Sequence, residues 1–317
     1  MVKKYDIAII GAGPAGLSAA IYGTRAGRSV AAFEAKSFGG QIINTPEIEN
    51  YPGIEKISGA EFAMNLYNQA VSLGAEYINE KVIKVEDGPK SKRIVTNHGE
   101  YEAKSVIVAT GVKKRPLGLE HEEELIGRGI SYCATCDGAF FRGRNVAVVG
   151  GGNTALEDAM FLSNYCNRVY LIHRRDTFRG EGKNVENVKE KDNINVIYNS
   201  IPVRLIYDDV LEGMEIKNVT NSEVTKIDVD GVFVAIGQIP DSEIFKDLLK
   251  TDPSGYIVAN EDCKTNIEGI FTAGDCREKN IRQLATAASD GAVAAINACS
   301  FIDENYRWYG ENYGTGK

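Results

Sequence analysis

Short apolar runs ending in glycine recur along the chain, and the first of them sets a pattern. Residues 5–10 contain Ile7-Ala8-Ile9-Ile10 and read as a buried strand, because a short continuous apolar run stopped by a glycine turn fits a strand covered on both faces. The turn Gly11-Ala12-Gly13-Pro14-Ala15-Gly16 follows. Residues 17–26 then read as a helix, and residues 29–33 as a second strand ending at Glu34. The pattern predicts a βαβ unit with parallel strands. The same grammar returns with a strand at 145–149, the turn Gly150-Gly151-Gly152-Asn153-Thr154-Ala155, a helix at 156–164 and a strand at 168–172.

Each βαβ pattern leads into weaker, alternating segments. Residues 82–85, 93–96 and 101–102 predict a small antiparallel meander around Gly88-Pro89-Lys90, and residues 105–109 a closing buried strand. Residues 203–207, 214–218, 224–228 and 231–236 repeat that order. Further on, Gly269-Ile270-Phe271-Thr272-Ala273-Gly274-Asp275 is another strand running into a glycine turn, with a helix over 284–301. It has no second half of its own, so the simplest topology returns it to the first half. The expected fold is α/β, with two Rossmann-like, three-layer ββα dinucleotide-binding domains, each with a small antiparallel meander. Residues 1–113 and 241–317 make one discontinuous domain, and residues 114–240 are inserted as the other.

The glycine spacing carries the chemistry. In G-x-G-x-x-G the first glycine allows the tight turn, the second lets the backbone approach a pyrophosphate, and the third lets helix pack on strand. The helix N-terminus offers free N–H groups to the phosphates. Glu34 stands where a carboxylate accepts from a ribose hydroxyl. In the second turn Ala155 replaces the third glycine, and no acid ends the second strand. His173-Arg174-Arg175-Asp176-Thr177-Phe178-Arg179 stands there instead. Arginines at that point bind a 2′-phosphate by charge-assisted hydrogen bonds and select NADP over NAD; the plainer alternative is a solvated basic loop.

Composition narrows the function classes. The chain has 317 residues, 43% hydrophobic and 25% charged, as expected of a folded globular protein rather than a disordered one. The formal charge is −8, from 36 basic and 44 acidic residues, which argues against nonspecific nucleic-acid binding. No apolar run is long enough to span a membrane and no targeting segment is visible, so the expected compartment is the cytoplasm. Six cysteines are too sparse for a disulfide framework. Two of them form Cys133-Ala134-Thr135-Cys136-Asp137. A zinc site needs a second ligand pair, and neither the isolated Cys166, Cys263, Cys276 and Cys299 nor the histidines have metal spacing. A redox dithiol is favoured and no metal is expected. Asp137 reads either as an acid or base beside the sulfurs or as a helix cap. The other four cysteines read as small packing residues.

Two nucleotide turns and a dithiol in one chain resemble the bacterial-type low-molecular-weight thioredoxin reductases, flavoprotein pyridine nucleotide-disulfide oxidoreductases. The resemblance spans essentially the whole chain. It rests on the turn at 11–16, Gly39-Gly40-Gln41, Asn50-Tyr51-Pro52-Gly53, Ala109-Thr110-Gly111, the dithiol motif at 133–137, the turn at 150–155, the basic loop at 173–179, Gly274-Asp275 and Arg282-Gln283. It implies FAD at the first turn, held by Gly11, Gly13, Pro14, Ala15 and Glu34. Gly40, Gln41, Asn50, Thr110 and Gly111 join them, with Gly274, Asp275, Arg282 and Gln283. It implies NADPH at the second turn, held by Gly150, Gly152, Asn153 and Thr154 with His173, Arg174, Arg175 and Arg179. By the same resemblance Cys136 is the sulfur beside the flavin, Cys133 attacks the protein disulfide and Asp137 is the acid. Thioredoxin is then the partner and a homodimer the assembly. The segments 113–116 and 238–241 are the expected hinges between domains.

Some features depart from the resemblance or leave rivals. The segment 306–317, with the single tryptophan Trp308, runs past the usual end and is expected to pack rather than fray. A reductase fed by reduced ferredoxin would lack the nicotinamide motifs. A ferredoxin–NADP reductase would lack the dithiol, and a peroxiredoxin-reducing subunit usually carries an extra N-terminal redox domain. A dithiol oxidase would keep the cysteines without the arginines. A flavin-binding sensor would bind FAD without turnover.

Overall fold

A computed structural model describes residues 2–45, 47–180 and 182–306, with the side chain of Cys136 outside the description. The chain forms two compact units, one from Met1–Lys113 with Ile239–Lys317 and one from Lys114–Gln238. The chain passes between them twice, through strands Val112–Lys114 and Gln238–Pro240.

In the discontinuous unit, Lys3–Ile10 lies at the centre of a parallel sheet. It pairs with Val30–Phe33 on one side, in the register Ile7 to Val30, and with Glu100–Val108 on the other, Ile7 to Ser105. Alternate side chains serve opposite faces, as the pleat requires. Ile7 and Ile9 pack toward the helices Pro14–Arg25 and Leu284–Tyr306, while Ala8 and Ile10 join Phe33, Phe245 and Ile257 on the other face. The alanine-rich helix Leu284–Tyr306 comes so close to the first helix that a Cβ on Gly291 would lie 2.0 Å from the Ala15 carbonyl oxygen. The helix, expected to end at residue 301, continues to Tyr306, whose hydroxyl donates to the Lys90 carbonyl at 3.0 Å. Residues 307–317 lie outside the described residues.

One expected boundary changes. Residues 101–102 and 105–109 read as two strands but form one, Glu100–Val108. Its first half pairs antiparallel with Lys92–Thr96, and its second half pairs parallel with Ile270–Thr272 along the same edge. The meander is therefore continuous with the parallel sheet in this unit. Between residues 34 and 82, where no element is expected from the sequence pattern, the structure has the helix Gly59–Ser72 and the strand Glu76–Ile78. Strand Glu76–Ile78 is short, and Ser58 caps the helix by accepting from the Glu61 amide.

In the inserted unit the parallel sheet runs Ile194–Ile197, Arg168–Ile172, Asn145–Gly150, Gly231–Ala235 and Ile130–Ser131. Here the meander Ser200–Tyr207, Leu211–Asn218 and Val224–Ile227 is a separate three-stranded sheet. Both units carry parallel strands with a helix from the glycine turn, which is the Rossmann-like α/β arrangement. Among the described residues no helix is long and apolar enough to cross a membrane.

Candidate functional site

The first glycine turn is shaped by close backbone packing. Gly11 has φ +104°, and a Cβ there would lie 2.4 Å from the Ala109 carbonyl oxygen. A Cβ on Gly16 would lie 1.8 Å from the Gly11 oxygen, so the third glycine lets the helix sit on the turn. Gly13 behaves differently: its nearest neighbour would be the Gly40 Cα at 3.9 Å. The backbone at Gly13 is thus open to a ligand, as the middle glycine of the motif requires. Gly13 precedes Pro14, the first helical residue, and no side chain caps that end. Glu34 accepts from the Ala12 amide at 3.0 Å and the Lys36 amide at 3.1 Å. A carboxylate accepts about four hydrogen bonds, which leaves capacity for a hydroxyl.

The remaining residues expected at this turn make tertiary contacts, some of them with one another. Asn50 Nδ2 donates to Gln283 Oε1 at 3.4 Å, and Gln41 Nε2 donates to the Val112 carbonyl. Arg282 lies over the Tyr256 ring, 4.0 Å from its centroid, and its Nε donates to the Asp275 carbonyl at 3.4 Å. A Cβ on Gly274 would touch the Ala15 Cβ at 2.8 Å. Two polar atoms are buried here without a hydrogen-bond partner: Thr110 Oγ1 and Asp275 Oδ1. Burial pushes the Asp275 carboxyl up, against Lys279 and Arg282, which pull it down. Orphaned buried acceptors are costly, so both atoms fit a bound molecule with hydroxyl groups, such as the ribityl and ribose parts of a dinucleotide.

A buried ionic cluster supports that turn, and sequence reasoning missed it. Asp290 accepts from the Gly274 amide at 3.0 Å, from Arg277 Nε at 2.8 Å and from Lys279 Nζ at 2.8 Å. Burial would raise its carboxyl, but the hydrogen bonds from Arg277 and Lys279 prevail and hold it below the usual range. The one available signal was an aspartate at a helical position among alanines.

The second turn repeats the division of labour. A Cβ on Gly150 would lie 2.3 Å from the Ala235 oxygen, whereas one on Gly152 would meet nothing within 4 Å. Asn153 and Thr154 open the helix Asn153–Ser163, and Ala155 is fully buried beneath them. The basic loop is stitched to this turn, because the Arg179 amide donates to the Gly151 carbonyl at 2.8 Å. Arg174, Arg175 and Arg179 are exposed, and none is ion-paired to a described carboxylate. His173 is placed otherwise. It is buried, its ring lies against Gly151, and its Nε2–H donates to the Thr177 carbonyl at 2.9 Å. Burial keeps its pKa below the ordinary histidine value, despite the Thr177 bond, and the neighbouring arginines add to the effect. A neutral His173 acts as a strut for the loop that presents the arginines.

Asp158, half-buried on the same helix, has a carboxyl pushed up to about 6 by burial, partly opposed by Lys114. Its folded pKa is raised, so the native state holds the proton more tightly. That contribution favours folding at low pH and is lost as pH rises through about 6. Asp158→Asn is therefore expected to stabilise the protein by about 1–2 kcal/mol at pH 8 and by nothing near pH 3.5, allowing for partial exposure. Thermal melts at both pH values check this, and equal gains at both would contradict it.

The dithiol motif lies between strand Ile130–Ser131 and the turn Gly138–Phe141. Cys133 is half-buried and disulfide-bonded, with Sγ 3.4 Å from Thr135 Oγ1. Cys136 is within the one-turn helix Ala134–Asp137, its side chain outside the described residues. Asp137 makes no helix-capping hydrogen bond, which removes the cap reading. Its Oδ2 instead accepts from the Ser131 hydroxyl at 2.6 Å, and Ser131 Oγ accepts from the Cys133 amide at 3.0 Å. Ser131 thus ties the acid to the first cysteine, a role no motif announces. The four remaining cysteines are free and buried. Burial pushes Cys166 up to about 11 and Cys263 up to about 12, and raises Cys276 and Cys299 as well, so all four are poor nucleophiles. Among the described residues no cluster could hold a metal ion.

Comparison with known proteins agrees with this geometry. The pattern of the pyridine nucleotide-disulphide oxidoreductases matches residues 5–292. A thioredoxin reductase of Peptoclostridium acidaminophilum is 41% identical over 313 residues, covering 96% of this chain and 99% of that protein. The crystal structure of Lactococcus lactis thioredoxin reductase (FR conformation) aligns with TM-score 0.81 and 42% identity, covering 95% of this chain and 99% of that one. A ferredoxin-flavin thioredoxin reductase of Clostridium acetobutylicum aligns with TM-score 0.53 and 32% identity over 96% of this chain and 99% of its own.

Proposed function

Because the chain belongs to the pyridine nucleotide-disulphide oxidoreductase family and is an oxidoreductase, we propose that it reduces the disulfide of thioredoxin with NADPH. The discontinuous unit holds FAD and the inserted unit holds NADPH and the dithiol. One observation carries the reading. The same inserted unit contains the Cys133 loop and an open glycine turn flanked by three arginines unpaired among the described residues, while the other unit has Glu34 at the corresponding place. The reading accounts for the partners missing from Thr110 Oγ1 and Asp275 Oδ1, which would hold ribityl or ribose hydroxyls of the bound cofactor.

Bound FAD supplies two-electron transfer between a nicotinamide and a disulfide. The chain's own residues do the rest. Cys133 Sγ, as thiolate, attacks one sulfur of oxidised thioredoxin and displaces the other, giving a mixed disulfide. Asp137, fixed by Ser131, supplies the proton to the leaving sulfur. Cys136 then attacks Cys133 Sγ, releasing reduced thioredoxin and restoring the intramolecular disulfide. The segments 113–116 and 238–241 act as hinges, and the protein works as a cytoplasmic homodimer. The ferredoxin-fed alternative keeps the dithiol, but the ferredoxin-flavin thioredoxin reductase of Clostridium acetobutylicum aligns with TM-score 0.53, against 0.81 for the Lactococcus lactis thioredoxin reductase.

The test is anaerobic mixing of the yellow holoprotein with NADPH, NADH or a reduced ferredoxin system, with flavin bleaching followed at 25 °C. NADPH is expected to bleach it fastest, and added thioredoxin to turn over a disulfide reporter. Bleaching by ferredoxin but not NADPH would establish the other donor, and bleaching without disulfide reduction would remove the thioredoxin assignment.

A further inference from the structure

Glu122 carries a charge into the interior of the inserted unit with no cation to meet it. It is 3% exposed, yet no described lysine or arginine pairs with it. Hydrogen bonds alone hold it. Its Oε1 accepts from the Leu117 amide at 2.8 Å and from the Tyr132 hydroxyl at 2.6 Å. Its Oε2 accepts from the Gly118 amide at 2.8 Å and, more weakly, from the Leu119 amide at 3.4 Å. Four donors satisfy the carboxylate, which makes its burial tolerable without a counter-ion.

These donors come from two functionally different places. Leu117, Gly118 and Leu119 follow the strand Val112–Lys114 by which the chain enters this unit. Tyr132 immediately precedes Cys133. Lys114 makes a second tie between the same two segments, because its Nζ donates to the Tyr132 carbonyl at 3.2 Å. Tyr132 is thus held at its ring by Glu122 and at its backbone by Lys114. On the other side of the same peptide, Ser131 binds the Cys133 amide and Asp137. Burial and the bond to Glu122 push the Tyr132 phenol above its usual range, so it stays protonated and donates throughout the physiological pH range.

We infer that Glu122 is a positioning residue for the dithiol, acting through Tyr132 to make the Cys133 loop one rigid body with residues 117–119, directly after the hinge segment 113–116. This rests on the dithiol and hinge reading above. A loop that hands electrons to a bulky partner after moving with its unit gains from such a tie, since a small misplacement of a nucleophile is costly. Neither Glu122 nor Tyr132 is among the residues expected at the two nucleotide turns, so loss of their bond is expected to separate the two half-reactions.

The test uses the holoprotein with Tyr132→Phe, which removes one hydroxyl and keeps the ring. Glu122→Gln and the double variant complete a cycle; Glu122→Ala is avoided because it would strand three amides. Tyr132→Phe is expected to lower kcat for thioredoxin about tenfold, the scale of one lost charge-assisted hydrogen bond, with KM for thioredoxin and anaerobic flavin reduction by NADPH unchanged. The double variant is expected to be no worse than the worse single one, and amide exchange is expected to quicken at both 117–119 and 131–137 in Tyr132→Phe. Wild-type kcat retained in Tyr132→Phe, or defects that multiply in the double variant, would overturn the inference. A wild-type protein that does not reduce thioredoxin fails the proposed function instead, and the amide-exchange pattern then still decides whether the two segments are coupled.

Discussion

Replacing Cys133 by serine is expected to leave flavin bleaching by NADPH at its wild-type rate while thioredoxin turnover falls by at least about a thousandfold, the order of loss for a removed covalent nucleophile. The change is nearly isosteric, and Cys133 sits on a loop fastened by Ser131 and by the Glu122–Tyr132 bond, so the fold persists. A serine hydroxyl has no appreciable alkoxide at neutral pH, whereas a thiol titrates within reach of it. The contrast with the other cysteines sharpens the test. Cys166, Cys263, Cys276 and Cys299 are buried with raised pKa values, so serine at Cys166 is expected to alter stability without a selective loss of disulfide turnover. Stopped-flow bleaching and a coupled disulfide assay on the same samples measure both half-reactions. Parallel loss of the two rates in Cys133→Ser would count against a dedicated attacking thiol.

Exchanging Arg174, Arg175 and Arg179 together for glutamine is expected to raise the KM for NADPH about a hundredfold or more, with kcat nearly unchanged. Each charge-assisted bond to a phosphate is worth about 1.5–3 kcal/mol in favourable geometry, and exposure reduces that here. NADH lacks the 2′-phosphate, so its KM is expected to stay within about twofold, a change too small for a charge-assisted bond. The ratio of the two KM values therefore reads the contact directly. The wild-type KM for NADPH is also expected to rise with ionic strength, since the arginines are exposed, and that dependence should flatten in the variant. An equal rise for NADPH and NADH would mean that the loop shapes the turn without binding the phosphate. His173 belongs on that structural side, because it is buried against Gly151 and bonded to Thr177.

Much of the architecture was legible because dinucleotide-binding units write their function into local backbone chemistry. A turn that must accept a phosphate backbone-first cannot use side chains, so Gly11, Gly13 and Gly16 stand at spacings dictated by steric contact within a few residues and with the neighbouring strand. The parallel strands, buried on both faces, announced themselves as apolar runs. The fused strand Glu100–Val108 was not legible as one element. Its two halves have different partners and hence different patterning, alternating where it meets Lys92–Thr96 and wholly apolar from Val106 to Val108, where it meets Ile270–Thr272. The helix Gly59–Ser72 was legible in principle, since Phe62, Ala63, Leu66, Tyr67 and Ala70 form a stripe at helical spacing behind the Ser58 cap.

The sequence by itself determined where glycines leave the backbone of a turn open, which two cysteines lie three residues apart and which loop carries excess positive charge. Each of these is a property of neighbours in the chain. Only the tertiary structure decided what holds those parts in place. Asp290 reads as a solvated helix position until it is found beside Gly274, Arg277 and Lys279. Glu122 reads as one acid in the run Glu120-His121-Glu122-Glu123-Glu124 until it is found buried under Tyr132. The physical reason is common to both. The cost of burying a charge, and the hydrogen bonds that offset it, exist only after distant segments have excluded water from around it.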